Sequence, residues 1–348
     1  MKKILFYTLG CMVVLSILVV ACKRNAVKVF TSSVTGVTGM TAFCGGDVTD
    51  DGGNAILAKG VCWSTNKKPT CADQHLVATD HNSGAFTCKI SGLVPSTTYH
   101  VRAFVTYSDG TVYGNEVVFT TSDDQNTIAD IDGNVYGTVV IGNQVWMREN
   151  LRTTHFADGT PIPDHTNDKL ASYSKPILYR PLYNGSHNPP AEYGLLYNWP
   201  AVMHGKSPSS ANPSGVQGVC PDGWHVPSTA EWKEMIDYVR DNEEFIESSK
   251  CVSKALASTT GWEKKGYVGR NPQNNNSTGF SALPVGWYSP EFGNFLKCGE
   301  YCGFWTASSG NEWALQQVWM DTYLRSPYYA KGTYDESDSY SVRCVMDN

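Results

Sequence analysis

The sequence lacks the short motifs that mark the common catalytic and metal sites. Its 348 residues contain no HExxH metalloprotease motif, no serine nucleophile elbow, no paired-carboxylate motif and no glycine loop of the phosphate-binding kind. No two cysteines have the Cys-x-x-Cys spacing of zinc and thiol-exchange sites, so we expect no metal and no cofactor. Scattered Asp and Glu residues leave a glycosidase open, but the sequence favours a protein that is not an enzyme.

Positive charge is also scarce. The chain has 27 Lys and Arg residues against 33 Asp and Glu, which gives a formal net charge of -6. An acidic chain is repelled by nucleic acid, so we expect no nucleic-acid partner. Only 17% of the residues are charged, whereas 41% are hydrophobic and 12% are aromatic, as in a globular extracellular protein long enough for two domains. The composition predicts nothing about the oligomeric state.

The longest apolar run is confined to the start of the chain. Residues 1–21 combine a basic start, an apolar run and a small residue before Cys22, which is the layout of a secretory signal. Residues 19–22, Val-Val-Ala-Cys, resemble the bacterial lipobox, which implies cleavage before Cys22 and a lipid on that residue. The lipid would hold the protein on an outer membrane, facing either the exterior or the periplasm. A retained membrane anchor is the alternative.

Residues 26–122 show the pattern of an all-β sandwich. Short runs rich in Val, Thr, Phe and Tyr recur between turn signals, and apolar and polar side chains alternate along residues 100–107. The stretch SGLVPSTTYHVRA, residues 91–103, resembles the corner and following strand of fibronectin type III domains. That resemblance implies an immunoglobulin-like spacer or binding module, in which the Tyr99 hydroxyl ties the corner to nearby backbone.

Residues 127–348 begin with turn dipeptides. Gly142-Asn143 lies between Val-rich runs, so a hairpin is expected there. Asp130 and Asp132 superficially suggest a calcium loop. Ile141 stands where such a loop needs a glutamate, so a simple turn is the favoured interpretation.

Six later segments carry a second resemblance. In order they are YGLLYNWPAV, GVCPDGWHVPSTAEWKEMIDYV, STTGW, STGFSALPVGWY, GFWTASS and YSVRCVMD. With the opening hairpin, they are similar to the Fibrobacter succinogenes major paralogous domain, a module of secreted and surface lipoproteins in Bacteroidetes and related bacteria. The resemblance implies a multidomain chain whose second domain is an α+β fold of the C-type-lectin-like class. That class is related to formylglycine-generating enzymes, but a shared fold does not transfer activity.

The stretch GVCPDGWHVPSTAEW, residues 218–232, places Cys220 and His225 close together and raises the question of a reactive site. Ser228 and Glu231 have the spacing of a capping box, and apolar residues follow at helical spacing, so a helix is predicted to begin at Ser228. A nucleophilic cysteine would need an exposed thiolate and a third, orienting group. We therefore interpret His225 as a packed or hydrogen-bonded core residue.

The compartment of the protein determines whether its cysteines are expected to form disulfides. Of the 11 cysteines, those beyond the leader and Cys22 lie outside the cytoplasm, where disulfides are favoured. Cys344 lies in a terminal strand pattern, and a bond to it would close most of the second domain. In the first domain, a bond between Cys62 and Cys71 would close the shortest loop and so carry the smallest entropic cost. The predicted pairs are Cys220–Cys344, Cys298–Cys302 and Cys62–Cys71.

Aromatic residues near the end of the chain are the candidate ligand contacts. Aromatic rings supply rigid contact area for sugars at low entropic cost, although core packing is the alternative for each ring. The sequence motifs of calcium-dependent lectins are absent, so we expect no calcium-dependent sugar site. The candidate ligand-binding residues are Trp287, Tyr288, Trp313, Tyr328 and Tyr329.

These features predict an outer-membrane or cell-surface lipoprotein that presents a lectin-like domain to a glycan or protein ligand. A structural surface or fimbria-associated component without a ligand pocket is the alternative. Exposure of Tyr288, Tyr328 and Tyr329 around one concavity would separate the two hypotheses. A third hypothesis, an oxidase like the formylglycine-generating enzymes, would use Cys298 and Cys302, whose loop has no recognisable match to that enzyme's motif.

Overall fold

The computed structural model describes six stretches of the chain, residues 26–123, 126–166, 174–246, 251–309, 315–331 and 336–347. The predictions made for residues 1–21, Cys22 and Trp313 lie outside these ranges. Among the helices within them, none combines the length and the apolar character that a bilayer span requires.

The first part of the chain folds into two antiparallel sheets. Its strands are β1 (Lys28–Thr31), β2 (Ala42–Asp50), β3 (Ala58–Ser64), β4 (Gln74–Val77), β5 (Gly84–Ile90), β6 (Thr98–Tyr107), β7 (Gly110–Tyr113) and β8 (Val117–Thr120). One sheet has the order β1-β2-β5, and the other has the order β4-β3-β6-β7, with β8 also paired to β6. The apolar inner faces form one shared core, which is the expected fibronectin-like β-sandwich.

Strand β6 shows why the sequence folds in this way. Val101 and Ala103 alternate along it and are fully buried between the sheets, as the sequence pattern predicts. Phe104 points to the opposite face and is buried as well. The Tyr99 hydroxyl accepts a hydrogen bond from the Val94 backbone N–H at 3.2 Å, so this tyrosine ties the corner before β6 to the strand.

Cys62 and Cys71 are separate thiols in the structure, so the predicted pairing is wrong. The Cys62 thiol lies on β3, 3.5 Å from the Arg102 carbonyl oxygen. Cys71 lies in the turn before β4, where its backbone N–H donates to the Tyr113 hydroxyl. A short loop lowers the entropic cost of a bond, but it does not aim the two Cβ atoms at each other.

The second part of the chain is rich in short strands. They are β9 (Thr127–Ala129), β10 (Val135–Ile141), β11 (Gln144–Met147), β12 (Leu178–Tyr179), β13 (Leu196–Asn198), β14 (Trp224–His225), β15 (Trp287–Ser289), β16 (Asn294–Leu296), β17 (Tyr301–Ser309), β18 (Leu315–Asp321), β19 (Tyr328–Lys331), β20 (Ser339–Tyr340) and β21 (Val345–Met346). They form sheets of order β14-β21-β11-β10-β9, β12-β13-β20-β15-β16 and β17-β18-β19. The expected hairpin at Gly142-Asn143 joins β10 to β11.

Helices are few and short in the described residues. They are α1 (Trp199–Met203), α2 (Thr229–Asp241), α3 (Glu243–Ile246) and α4 (Val252–Leu256), with 3-10 turns at Ala191–Tyr193 and Pro272–Asn274. Ser228 caps α2 through the predicted capping box, because its hydroxyl accepts from the Glu231 N–H while the Glu231 carboxylate accepts from the Ser228 N–H. Helix α2 buries Trp232 and Met235 on the face that meets the sheets.

The terminal strand β21 closes the second part. It pairs with β11 on one side and with β14 on the other. Cys344 precedes it and is bonded to Cys220, with the two Cα atoms 6.0 Å apart, so this predicted disulfide is confirmed. The bond joins residues 124 positions apart and fixes the end of the chain beside the turn that leads into β14.

Candidate functional site

The Cys220–His225 corner is a closed structural junction. The His225 ring is 2% exposed and lies between two carboxylates. Its Nδ1 is 2.6 Å from Asp347 Oδ1, and its Nε2 is 2.6 Å from Glu231 Oε1. Because Cys220 is already in a disulfide, this corner offers no thiolate, and His225 is the hydrogen-bonded core residue that the sequence predicts.

The carboxylate of Glu231 has three hydrogen-bond partners in this corner, His225, Ser228 and Ser214. Its Oε2 accepts from the backbone N–H groups of Ser228 at 2.8 Å and Ser214 at 3.0 Å. Burial lowers the pKa of His225, but hydrogen bonds and charge from Glu231 and Asp347 outweigh burial, and the pKa is raised overall. The corner therefore favours a protonated imidazole that holds the chain terminus to the start of α2.

Of the predicted aromatic ligand contacts, the structure describes the side chains of Trp287 and Tyr288, and neither is exposed. Tyr288 is 5% exposed and stacks on Tyr179 with ring centroids 4.0 Å apart, so its prediction as a ligand contact is wrong. Trp287 is half-buried and packs on the Tyr301 ring at 5.0 Å. Aromatic residues in strands that lie beneath other strands are used for packing, which explains the error.

Two further members of that set lie on β19, and one is not described. Tyr328 and Tyr329 pair with Trp319 and Val318 of β18, and their side chains lie outside the described part of the structure. Trp313 lies wholly outside it.

Cys298 and Cys302 are also separate thiols, so their predicted pairing is wrong. Cys302 lies on β17 and points into the apolar core, where burial raises its pKa to about 12. Cys298 lies in the preceding loop with its thiol 3.5 Å from the Val285 carbonyl oxygen, and burial raises its pKa as well. The strand and the loop send the two side chains in different directions, and neither thiol has the depressed pKa of a reactive cysteine.

A different part of the second domain forms an open concavity, which we call the tyrosine cleft. Its volume is about 540 Å³. Three segments supply its walls: the loop before β13, the loop after α4, and the loop between β16 and β17. The lining residues are Leu182, Tyr183, Asn184, Pro190, Glu192, Tyr193, Thr260, Gly261, Glu263, Pro284, Cys298 and Gly299.

Tyr183 and Tyr193 are the main contact groups of the tyrosine cleft. Their rings are both half-buried and meet edge to face, with centroids 4.8 Å apart. Burial, together with Tyr183 and Glu192, raises the pKa of Tyr193 to about 12, so its hydroxyl keeps its proton at neutral pH and is available as a donor. Amphipathic rings of this kind present an apolar face and a polar tip to a ligand.

The wall that carries Tyr193 is held by the core. The Tyr193 carbonyl accepts from the Asn150 side-chain amide at 3.0 Å, and the buried Arg343 donates to Asn150 Oδ1 at 2.8 Å. Gly194 follows with φ of 69°. A Cβ there would meet the Asn150 side chain at 2.5 Å, so only glycine allows the turn to lie this close to the core.

The polar groups of the tyrosine cleft include two exposed carboxylates. Glu192 and Glu263 both lie at its surface. Lys265 bridges Glu263 at 2.9 Å and Glu300 at 3.0 Å, which leaves Glu192 as the acid next to the paired rings. Such a mixture of rings, carboxylates and backbone groups binds hydroxyl-rich ligands better than apolar ones.

Another cavity, of about 550 Å³, opens on the first sandwich. Trp63 and Tyr99 contribute to its lining, but both rings are 8% exposed and belong to the sandwich core. Asp73 and His75 complete its rim. With its rings committed to packing, this cavity offers a ligand fewer contacts than the tyrosine cleft.

The residues that the structure describes contain no cluster of three or more His, Cys, Asp or Glu side chains that could hold a metal ion. Asp130 and Asp132 accept hydrogen bonds from Asn134, Tyr136, Thr153, Thr154 and His155, as in a polar turn.

Sequence reasoning missed Tyr183 and Tyr193. They lie in YNGSHNPPAEYG, residues 183–194, a loop whose Gly, Pro and Asn residues are strong turn signals. Aromatic residues in such a segment are rarely covered by neighbouring strands. The same signals flank Tyr288, at Gly286 and Pro290, so they do not by themselves separate Tyr183 and Tyr193 from it.

Comparisons with known proteins identify one family and several solved structures that are similar to this chain. Residues 139–346 match the family described as the Fibrobacter succinogenes major domain. No curated protein matches the chain at a significant level.

Several solved structures are similar to a limited part of the chain. The sensor domain of the anti-sigma factor RsgI4 in Pseudobacteroides cellulosolvens is 18% identical over 28% of this chain and 96% of its own, with a TM-score of 0.23. The sixth fibronectin type III domain of human fibronectin type III domain containing protein 3 is 18% identical over 27% of this chain and 82% of its own, with a TM-score of 0.21. Similarities this weak say nothing about function.

The family match is stronger evidence, because it spans more than half of the chain. The matched residues include the capped helix α2, the Cys220–Cys344 bond and the tyrosine cleft. The protein therefore belongs to the Fibrobacter succinogenes major domain family.

Proposed function

We propose that this protein is a non-catalytic surface lipoprotein that binds a glycan in the tyrosine cleft. In this proposal Cys22 carries the lipid that holds the chain on the outer membrane, and the fibronectin-like sandwich serves as the spacer. The second domain, which we propose to be C-type-lectin-like, presents the cleft. The family match supports a surface module, and the site itself supports the ligand class.

One observation carries the ligand class. Tyr183 and Tyr193 present two rings at 4.8 Å in an open cleft of about 540 Å³ with Glu192 beside them. Sugar rings have apolar C–H faces that pack on aromatic rings and hydroxyl groups that bond to carboxylates and tyrosine hydroxyls. A cleft with both kinds of group fits a saccharide better than it fits an apolar ligand.

The absence of catalysis in this proposal is supported by the chemistry of the cleft. Cys298 is its only described thiol, and burial raises its pKa, so the thiolate needed by an oxidase is disfavoured. The second cysteine of the oxidase hypothesis, Cys302, is fully buried in the core. Glu192 and Glu263, the two carboxylates of the cleft, are exposed to solvent.

The test is a glycan array with the full chain, followed by calorimetric titration of the strongest glycan against single variants. Tyr193→Ala and Tyr183→Ala should each weaken binding about tenfold or more, because aromatic contacts dominate such sites. Tyr238→Ala is the matched control, since Tyr238 is an exposed tyrosine on α2, outside the cleft.

The competing hypothesis is a structural surface component without a ligand. It is favoured by the burial of Tyr288, which removes one of the rings first expected to bind. An array on which no glycan binds, or binding that Tyr193→Ala and Tyr183→Ala leave unchanged, would reject the cleft proposal and favour this alternative.

A further inference from the structure

A second cavity, which we call the arginine cavity, adjoins the tyrosine cleft. Its volume is about 280 Å³. Pro190 lines both concavities, so the segment Pro190–Tyr193 forms their common wall. The polar side chains of the arginine cavity belong to Asp132, Asn134, Arg152, Thr154, Arg180 and Asn188.

Arg152 is held in place with most of its donors unused. Its Nη2 donates to the Val135 carbonyl at 2.6 Å, and its guanidinium lies over the Tyr136 ring, 4.4 Å from the centroid. None of the carboxylates that the structure describes forms an ion pair with it. A guanidinium has five N–H donors, so the edge of Arg152 that faces the cavity remains available to an anion.

The acidic groups around the cavity are already engaged. Asp132 accepts from the Thr154 hydroxyl at 2.9 Å and lies 2.6 Å from His155 Nδ1. Asp164 accepts from Arg180 Nε at 2.8 Å, and the Arg180 side chain is still 48% exposed. Asp132 lines the cavity as an ionised carboxylate and Arg180 is paired with Asp164, so Arg152 is the cation of the cavity that has no ion pair among the described residues.

We propose that the arginine cavity binds the carboxylate of a uronic-acid unit in an acidic glycan, while a neighbouring sugar of the same chain packs on Tyr183 and Tyr193. This inference rests on the proposed function and specifies its ligand class. The planar fork of Arg152 matches a planar carboxylate, and a preorganised guanidinium loses little entropy on binding. The common wall at Pro190 favours a glycan over an acidic peptide, because one saccharide chain then contacts the paired rings and the arginines together.

The experiment is calorimetric titration of the full chain with oligomers of galacturonic, glucuronic and mannuronic acid. The methyl ester of each oligomer keeps the sugar rings and removes the charge. At least one acid should bind about tenfold more tightly than its ester, as expected for hydrogen bonds to a charged group. Arg152→Gln should abolish that preference. Arg180→Gln should reduce it, and because Arg180 is at the surface this variant remains informative if Arg152→Gln fails to fold.

Arg240→Gln is the matched control, since Arg240 is an exposed arginine on α2 that pairs with Asp237 and Asp241. Esters that bind as tightly as the acids, in a manner still sensitive to Tyr193→Ala, would overturn this inference and leave the cleft proposal intact. Poly-glutamate that binds through Arg152 while every uronic acid fails would overturn it in favour of an acidic protein ligand. If no saccharide binds at all, both proposals fail.

Discussion

Two buried charged residues determine much of the second domain at the residue scale. Arg343 is fully buried, and its guanidinium donates to the Asn150 side chain and to the carbonyls of Met147, Phe280 and Ser281. Burial lowers its pKa to about 9, so it is still charged at neutral pH. A buried charge needs such partners to offset its desolvation. Through Asn150, this network also supports the wall of the tyrosine cleft.

The buried His225 gives a pH-dependent contribution to stability. Its folded pKa is raised above its unfolded value of about 6.5, so the stability it contributes is complete below that pH and is lost as pH rises through the folded pKa. The free energy of unfolding in urea should therefore decline above about pH 6.5 in the wild-type protein. His225→Gln should flatten this decline, since glutamine does not titrate.

His81→Gln is the control for that experiment, because His81 is an exposed histidine of the first sandwich. It should keep the wild-type slope. An unchanged slope in His225→Gln would contradict the assignment of this pH dependence to the Glu231–His225–Asp347 contacts.

Helix α2 is stabilised by the hydrogen bonds of its first turn. The capping box at Ser228 and Glu231 satisfies backbone N–H groups that would otherwise lack partners, and the same glutamate reaches His225 and Ser214. The element therefore connects the turn after the disulfide, the terminal strand and the sheet packed on Trp232.

Ser228→Ala should lower the free energy of unfolding by about 1 to 2 kcal/mol, because it removes the N-cap of α2 in a buried position. Chemical denaturation followed by tryptophan fluorescence measures this loss. Ser207→Ala, at an exposed serine in the loop after α1, should have almost no effect. Equal stability of the two variants would show that the cap does not hold the helix.

The sequence was sufficient to predict elements set by local rules. The start of α2 and the hairpin at Gly142-Asn143 follow from capping and turn patterns within a few residues. The tyrosine corner at Tyr99 was implied by the resemblance to fibronectin type III domains. Tyr288 was mispredicted because its partner, Tyr179, is more than one hundred positions away in the chain. The two short-range cysteine pairs, Cys62–Cys71 and Cys298–Cys302, were wrong for a related reason, since Cβ directions depend on the complete sheet.

At the scale of the whole molecule, contacts between distant segments position the cleft. Strand β21 lies between β14 and β11, and the Cys220–Cys344 bond joins the last strand to the middle of the chain. A crosslink over such a long loop restricts the unfolded chain and contributes roughly 2 to 4 kcal/mol. The three loops that form the tyrosine cleft meet only because these sheets are complete, which is why the sequence alone did not locate it.

The most direct measurement of the central claim uses a thiol already present in the tyrosine cleft. Cys298 lines it, and Cys71, which is also half-buried, lies in the first sandwich and serves as an internal control. A maleimide label, located by mass spectrometry, should modify Cys298 several-fold more slowly when the strongest glycan from the array is present at saturation. Labelling of Cys71 should not change. Equal labelling of Cys298 with and without bound glycan would contradict binding in the tyrosine cleft.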